Sequence, residues 1–500
     1  MAYEPGTRVP YFSNPDVLFC FWTECAPTGV PIDDPGCNSA NNARTINETK
    51  DTVSNFRASC DTTNTTTLAT VDFFEGQGNA GSREVAMSDN GKYMAFTSDA
   101  TNFNYWGQPH NDFSDVYFYN RESGLVRIIS GKTAHPGFEP GHSLSPTVSG
   151  NGRFIAFASY AGDLHGTPDT NGVADIFVLP HYDGYLARVS RPLLPTEPNG
   201  DSLSPALSFT GRYVVFESDA SNLVSGDDGL YRDIFVRDRD VSDDGVFDQT
   251  GDVSNTRVSL GGDPQDPAFP NPDGPSYNPA ISTSPEPADD GRYIAFESDA
   301  TNLLDPGLDT LGHRDIFVRD TDAEETLRVS VSSTNDEANG PSYAADISGS
   351  GNLVVFESDA SNLVPGDTNG HRDVFRHNRS TGQTIRISVT PDPLNPNPNG
   401  PSYAPAISAD EEFVVFHSDA TNLVPFDTVG LTDVFLYEIS TGTITRLSIN
   451  SLGEQALGGP SLAPAISADG RYIAFESDAA NLIPSEQVTG FRDIFFRDRG

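Results

Sequence analysis

The sequence predicts an all-β fold, a seven-bladed β-propeller of four-stranded blades, from three observations. First, a motif close to F-x-S-D-A-x-N recurs with its phenylalanine at Phe96, Phe157, Phe216, Phe296, Phe356, Phe416 and Phe475. The differences between successive numbers are 61, 59, 80, 60, 60 and 59. Second, each copy holds four short β-branched or aromatic runs bounded by Gly, Asp, Asn and Ser, with no amphipathic helix between them. A repeat of four short strands is a propeller blade and not a solenoid coil. Third, the ends of the array are complementary. The last copy stops after its third strand, Asp493–Arg497, and the run Thr66–Val71 ahead of the first copy can supply the missing fourth.

The sixth copy shows the elements in order. Ala404–Ser408 is the first strand, and a turn at Asp410–Glu412 leads into the second, Phe413–Ser418. Asp433–Tyr437 is the third, and Ser440–Gly442 turns the chain into Thr443–Ile449, the fourth. Long loops after the second and fourth strands make the period longer than that of a compact blade. The widest interval, before Phe296, holds two insertions, Asp240–Ser254 and Thr283–Ala288. Thr66–Val71 stands before the first copy as Thr384–Val389 stands before the sixth. It lacks the arginine of other fourth strands, such as Arg328, Arg386 and Arg446.

Composition narrows the partners. Asp and Glu number 71 against 30 Lys and Arg, a net charge of −41, which repels nucleic acid and anionic membranes. No apolar run reaches the length of a membrane-spanning helix. The segment Met1–Gly6 has neither the basic start nor the apolar stretch of a signal peptide. All four cysteines, Cys20, Cys25, Cys37 and Cys60, crowd the segment ahead of the repeats, which suggests two disulfides and an exported protein. Their spacings of 5, 12 and 23 lack the close pair of a structural zinc site. Ile46, Thr49, Val53 and Phe56 recur at helical spacing, so residues 42–57 are expected to form one helix.

The loop before the third strand is the best candidate for chemistry. It reads Asp169, Asn171, Asp175 in the second copy and Asp367, Asn369, Asp373 in the fifth. The aspartate pair six apart persists at Asp227/Asp233, Asp309/Asp315 and Asp427/Asp433. Oxygen ligands alternating around a Gly turn suit Ca²⁺. The alternative is an Asx turn whose later aspartate pairs with a neighbouring arginine, since Arg232, Arg314, Arg372 and Arg492 stand beside that aspartate. Copies one and seven break the pattern with Pro109 and Gln487. The insertion around Asp240, Asp243, Asp244 and Asp248 is a further acidic Gly turn.

The recurring Ser-Asp-Ala-x-Asn element, as at Asp219/Asn222 and Asp359/Asn362, is read as a structural turn, because an active site would not occur in every blade. Tyr277, Tyr343 and Tyr403 precede first strands, where they could ring one mouth of the channel and stack a sugar or peptide, or only pack. The nine histidines form no H-E-x-x-H, and G-x-S-x-G and the P-loop are absent.

Two resemblances follow from these motifs. The pattern S-x-D/N-G-R-Y-I-A-F-x-S-D, as at Ser467–Asp478, resembles the TolB-type propeller repeat across residues 64–500. Residues 1–57 are similar to the C-terminal subdomain of reprolysin-like metzincin zinc proteases. The matching stretches are Met1–Tyr3, Arg8–Pro15, Pro27–Gly29 and Asn41–Thr49. That resemblance implies that residues 1–63 form a partial subdomain and that Met1 is the Met-turn methionine. The family's zinc-binding helix would lie upstream, so Zn²⁺ belongs to a full-length parent and this chain alone is expected to be inactive. The expected protein is a secreted monomer whose propeller binds a protein or polysaccharide. The alternatives are a stand-alone Ca²⁺-stabilised binding propeller and a propeller-borne carbohydrate-active enzyme.

Overall fold

The computed structural model describes residues 64–500 except 72–75, 104–112, 132–140, 163, 165–168, 182–183, 195, 262–270 and 484–489. Within 1–63 it describes the backbone of Leu18–Phe21 and Glu24–Pro27, an antiparallel pair. Met1, the cysteine side chains and the helix expected at 42–57 lie outside the described residues.

The rest is seven four-stranded antiparallel sheets, and among the described residues there is no helix. In the fifth blade the strands are Ser342–Ile347, Leu353–Ser358, Asp373–Asn378 and Gln383–Arg386. Each first strand touches the first strand of the next blade, and Ser461–Ile466 returns to Ser82–Met87. The first strands therefore line the axis and the ring is closed. Thr65–Leu68 pairs with Asp493–Asp498 as the fourth strand of the seventh blade. In the sixth blade the first strand begins earlier than expected, at Ser402, and the fourth ends at Arg446.

The second and third strands are the most buried, and their facing aromatics repeat from blade to blade. Phe216 stacks on Phe235, Phe296 on Phe317, Phe356 on Phe375 and Phe416 on Phe435, with centroids 5.8–6.1 Å apart. The core lies between blades rather than within them. One cluster joins Ala295, Ile316 and Val318 of the fourth blade to Val354, Phe356 and Phe375 of the fifth. A blade has two apolar faces and buries both only when it has neighbours on each side, which is why the ring must close.

Strand direction sorts the loops. Those after second and fourth strands fall on one face, called here the mouth face; the turns after first and third strands fall on the other. Thr65 lies opposite Asp498, at the end of a third strand. The chain therefore joins the ring, and leaves it, on the face opposite the mouth.

Every first strand carries a bulge at its third residue, which takes a left-handed conformation although it is never glycine. These residues are Glu84, Ser145, Ser204, Asn278, Ala344, Ala404 and Ala463, with φ between 45° and 57°.

Candidate functional site

The five aspartate pairs are brought together as expected, and each has a guanidinium between its members. Arg188, Arg257, Arg328, Arg386 and Arg446 come from the fourth strands. Their Nη1 atoms lie 3.0–3.6 Å from both aspartates of the pairs 169/175, 227/233, 309/315, 367/373 and 427/433. Asn171 and Asn369 turn their amide nitrogens toward Asp175 and Asp373, at 3.3 and 2.8 Å, while their oxygens accept backbone N–H groups. The arginine that fills the pair is thus not the neighbour suggested by sequence. Arg232, Arg314, Arg372 and Arg492 bind Asp219, Asp299, Asp359 and Asp478 instead. In the insertion, Asp243 pairs with Arg212 and Asp248 with Arg239, while the Asp240 carboxylate accepts from Asp244 N and Gly245 N.

The second aspartate of each pair is buried and accepts a hydroxyl from the end of the fourth strand, such as Ser388 onto Asp373 at 2.6 Å. In the seventh blade Thr70 performs this for Asp493 at 2.7 Å. Burial pushes Asp175 and Asp309 up to about 7, and Asp233 and Asp493 to about 6. On the turn side, burial raises Asp89 to about 7 and Asp346 to about 6. The folded pKa lies above the unfolded value, so the stability these groups contribute is present in acid and lost as pH rises through 6–7. Burial lowers His377 and His417 to about 4 and lowers His181 as well, which opposes the trend below their unfolded values, but these three groups are outnumbered by the six raised aspartates. The melting temperature is expected to be higher at pH 5.5 than at pH 7.5; calorimetry showing the reverse would contradict this assignment.

A second constellation occupies the mouth face, and sequence reasoning passed over its main residue. The variable position of F-x-S-D is Glu217, Glu297, Glu357 or Glu476 in four blades. Each carboxylate accepts the bulge N–H of the next blade, at Asn278, Ala344, Ala404 and Glu84, at 2.7–2.8 Å. Each also holds its own blade's Arg232, Arg314, Arg372 or Arg492 at 2.8–3.4 Å. The glutamate thereby latches blade to blade and satisfies the bulge N–H in these four places. In the first blade Thr97 stands in that place, and Glu84 takes over, accepting from Thr97 and from Ser145 N.

The same arginines frame the tyrosines. Arg314 lies 4.3 Å from the Tyr277 ring centroid and 5.6 Å from that of Tyr343. Arg372 lies 4.2 Å from Tyr343 and 5.9 Å from Tyr403, and Tyr403 stacks on His417 at 5.5 Å. An arc of alternating guanidinium and phenol thus runs over the third to sixth blades beside the channel mouth. All three tyrosines are half-buried, so each has an edge in solvent. The channel below them holds a cavity of about 350 Å³ lined by Glu84, Ser145, Ser204 and Asn278 with three prolines.

Among solved structures the chain is similar to TolB from Acinetobacter baumannii, 14% identical over 77% of each chain with a TM-score of 0.35. The β-propeller domain of the trilobed protease from Pyrococcus furiosus is 11% identical, covers 84% of this chain and 96% of its own, and has a TM-score of 0.47. An oligogalacturonate lyase in complex with manganese is 11% identical over 88% of this chain and 94% of that one, with a TM-score of 0.45. No family model and no curated protein matches the sequence.

Ser114, Asp99 and His142 meet on the mouth face. Ser114 is buried and its hydroxyl donates a hydrogen bond to Asp99 at 2.5 Å, while His142 Nδ1 accepts from Ser114 N at 3.1 Å. The histidine nitrogen also lies 3.2 Å from Ser114 Oγ, so the serine is held between the other two groups. The Ser-Asp-Ala-x-Asn element is structural as expected: Ser218 Oγ accepts from Ala220 N, and Asn222 Oδ1 from Asn199 N.

Proposed function

We propose that the propeller is the binding module of a secreted reprolysin-like zinc metallopeptidase, and that it holds a protein or polysaccharide at its mouth face. The arc of Tyr277, Tyr343 and Tyr403 carries this reading, since aromatic edges held rigid between guanidinium groups are ready stacking surfaces. Attachment of the chain on the opposite face supports it, because a preceding domain would leave the mouth open. The protease-like motifs of residues 1–57 support the parent activity, and the catalytic zinc motif is not among these 500 residues. Co-sedimentation of the chain with insoluble polysaccharides and matrix proteins tests the binding. Tyr343→Ala is expected to weaken the interaction about tenfold or more with unchanged melting. Equal retention of wild type and variant on every matrix would overturn it, as would chelator-sensitive peptidase activity by this chain alone.

Calcium is a second reading, for which two loops before third strands offer a carboxylate cluster, as does the insertion with Asp240, Asp244 and Asp252. Asp169, Asp175 and Glu197, and likewise Asp309, Asp315 and Glu337, bring three carboxylate ligand atoms within 4.8 Å of one another around one arginine. Each cluster keeps surplus negative charge, and Asp309 Oδ1 is buried without a hydrogen bond. If calcium binds there, Ca²⁺ raises the melting temperature of wild type over EDTA, less so that of Glu337→Gln, and not that of Glu197→Gln/Glu337→Gln. An identical melting curve in both conditions removes calcium from these loops.

A further inference from the structure

Of eighteen exposed large hydrophobic side chains among the described residues, thirteen project from mouth-face loops, Leu230, Leu308, Leu311 and Phe426 among them. One sits at a formed groove. In the fourth blade, Leu304, Leu308, Leu327 and Val331 floor a cavity of about 820 Å³ that runs from the mouth face down the outer strand Glu325–Arg328. Leu308 is 55% exposed and Leu327 42%. The walls are acidic: Asp305, Glu324, Glu325, Asp336 and Glu337 line the groove, and its arginine, Arg328, is already spent on Asp309, Asp315 and Glu337.

Two of these acids, Glu324 and Glu325, have no acidic counterpart in the fifth and sixth blades. Glu324 adopts φ 55° at the turn before the fourth strand, where the first, fifth and sixth blades place Gly124, Gly382 and Gly442 at φ 66–70°. A glutamate here accepts backbone strain that glycine avoids. The fifth and sixth blades place uncharged Gln383 and Thr443 where this one has Glu325.

We propose that this groove docks a basic amphipathic segment of a partner protein, its apolar side chains on the leucines and its lysines or arginines against the acidic walls. Aliphatic floors favour a peptide over a sugar, which stacks on aromatic rings and needs hydrogen bonds. The inference rests on the reading of the propeller as a binding module, but at a different place from the tyrosine arc.

The probe is a synthetic helical peptide with leucines on one face and lysines on the other, titrated by fluorescence anisotropy, with a leucine–glutamate counterpart. The lysine peptide is expected to bind wild type more weakly as salt rises, and to bind Glu324→Gly/Glu325→Gln and Leu308→Ser about tenfold less tightly. Tyr343→Ala should bind it normally, which separates this groove from the mouth. Glu324→Gly restores the residue of the other turns and is expected to melt no lower than wild type, so lost affinity there is not lost folding. Undiminished binding to these variants, equal binding of the glutamate peptide, or dependence on Tyr343 alone would overturn the proposal; the last would leave the mouth reading standing.

Discussion

Deleting residues 64–70 is expected to abolish the cooperative unfolding transition of the whole ring. The segment supplies the outer strand of the seventh blade and pairs with Asp493–Asp498 at the other end of the chain. Leu68 and Ala69 are buried against the sixth, seventh and first blades. Losing one buried leucine costs about 2–5 kcal/mol. Thr70 donates to the buried Asp493 Oδ1 while Gln77 donates to its other oxygen, and losing the Thr70 bond adds about 1 kcal/mol. The sum approaches the entire stability of a typical domain, about 5–15 kcal/mol. Urea unfolding followed by far-ultraviolet circular dichroism would measure it, and a synthetic peptide of residues 64–71 added in trans should restore part of the transition. Thr70→Val isolates the hydroxyl, and Thr70→Ser, the residue of the other six blades, should be tolerated. A deletion variant that melts like wild type would show that the ring does not depend on this closure.

Replacing Arg386 by leucine is expected to cost about 3–5 kcal/mol, the penalty for stranding a buried charge by removing its partner. Arg386 is buried, with Nη1 3.0 Å from Asp367 and 3.1 Å from Asp373 and Nη2 on Asn397 and Pro396 O. The chain contains its own double variant. Copies one and seven carry Ile128 and Leu68 at the arginine position, and they carry Pro109 and Gln487 where the first aspartate would stand. Arginine and aspartate are lost together, as partners in one charge balance would be. Arg386→Leu/Asp367→Gln should therefore recover most of the loss, which a double-mutant cycle in urea would measure. If the single replacement costs under about 1 kcal/mol, or the double is no better than the single, the guanidinium is not what neutralises the pair.

That co-loss is a trace the arginine leaves in the sequence, but adjacency pointed to a different arginine and only the structure shows which one stands between the aspartates. The pairs themselves were visible because Asp recurs six residues before Asp. Adjacent residues such as Arg372 looked like partners because they are near in sequence. In a strand, however, neighbours point to opposite faces, and Arg372 is carried to the mouth while Asp373 points into the blade. The Glu357 latch was hidden for a different reason. A letter that varies between copies, set between Phe and Ser, reads as a solvent-facing strand position, and its partner is a backbone N–H, which has no letter at all.

The sequence by itself determined the number of blades, the strands within them, the closure by the N-terminal strand and the acidic, repeat-borne character of the chain. These depend on local periodicity and on the spacing of turn residues, which a repeat states seven times. Only the tertiary structure decided which cation answers each aspartate pair, that Tyr277, Tyr343 and Tyr403 share one face with arginines between them, and that the fourth blade carries an acidic groove. Those contacts join residues 13 to 61 positions apart across strands and between blades. Their partners are fixed by the direction of each strand and the closing of the ring, neither of which is written at any single position.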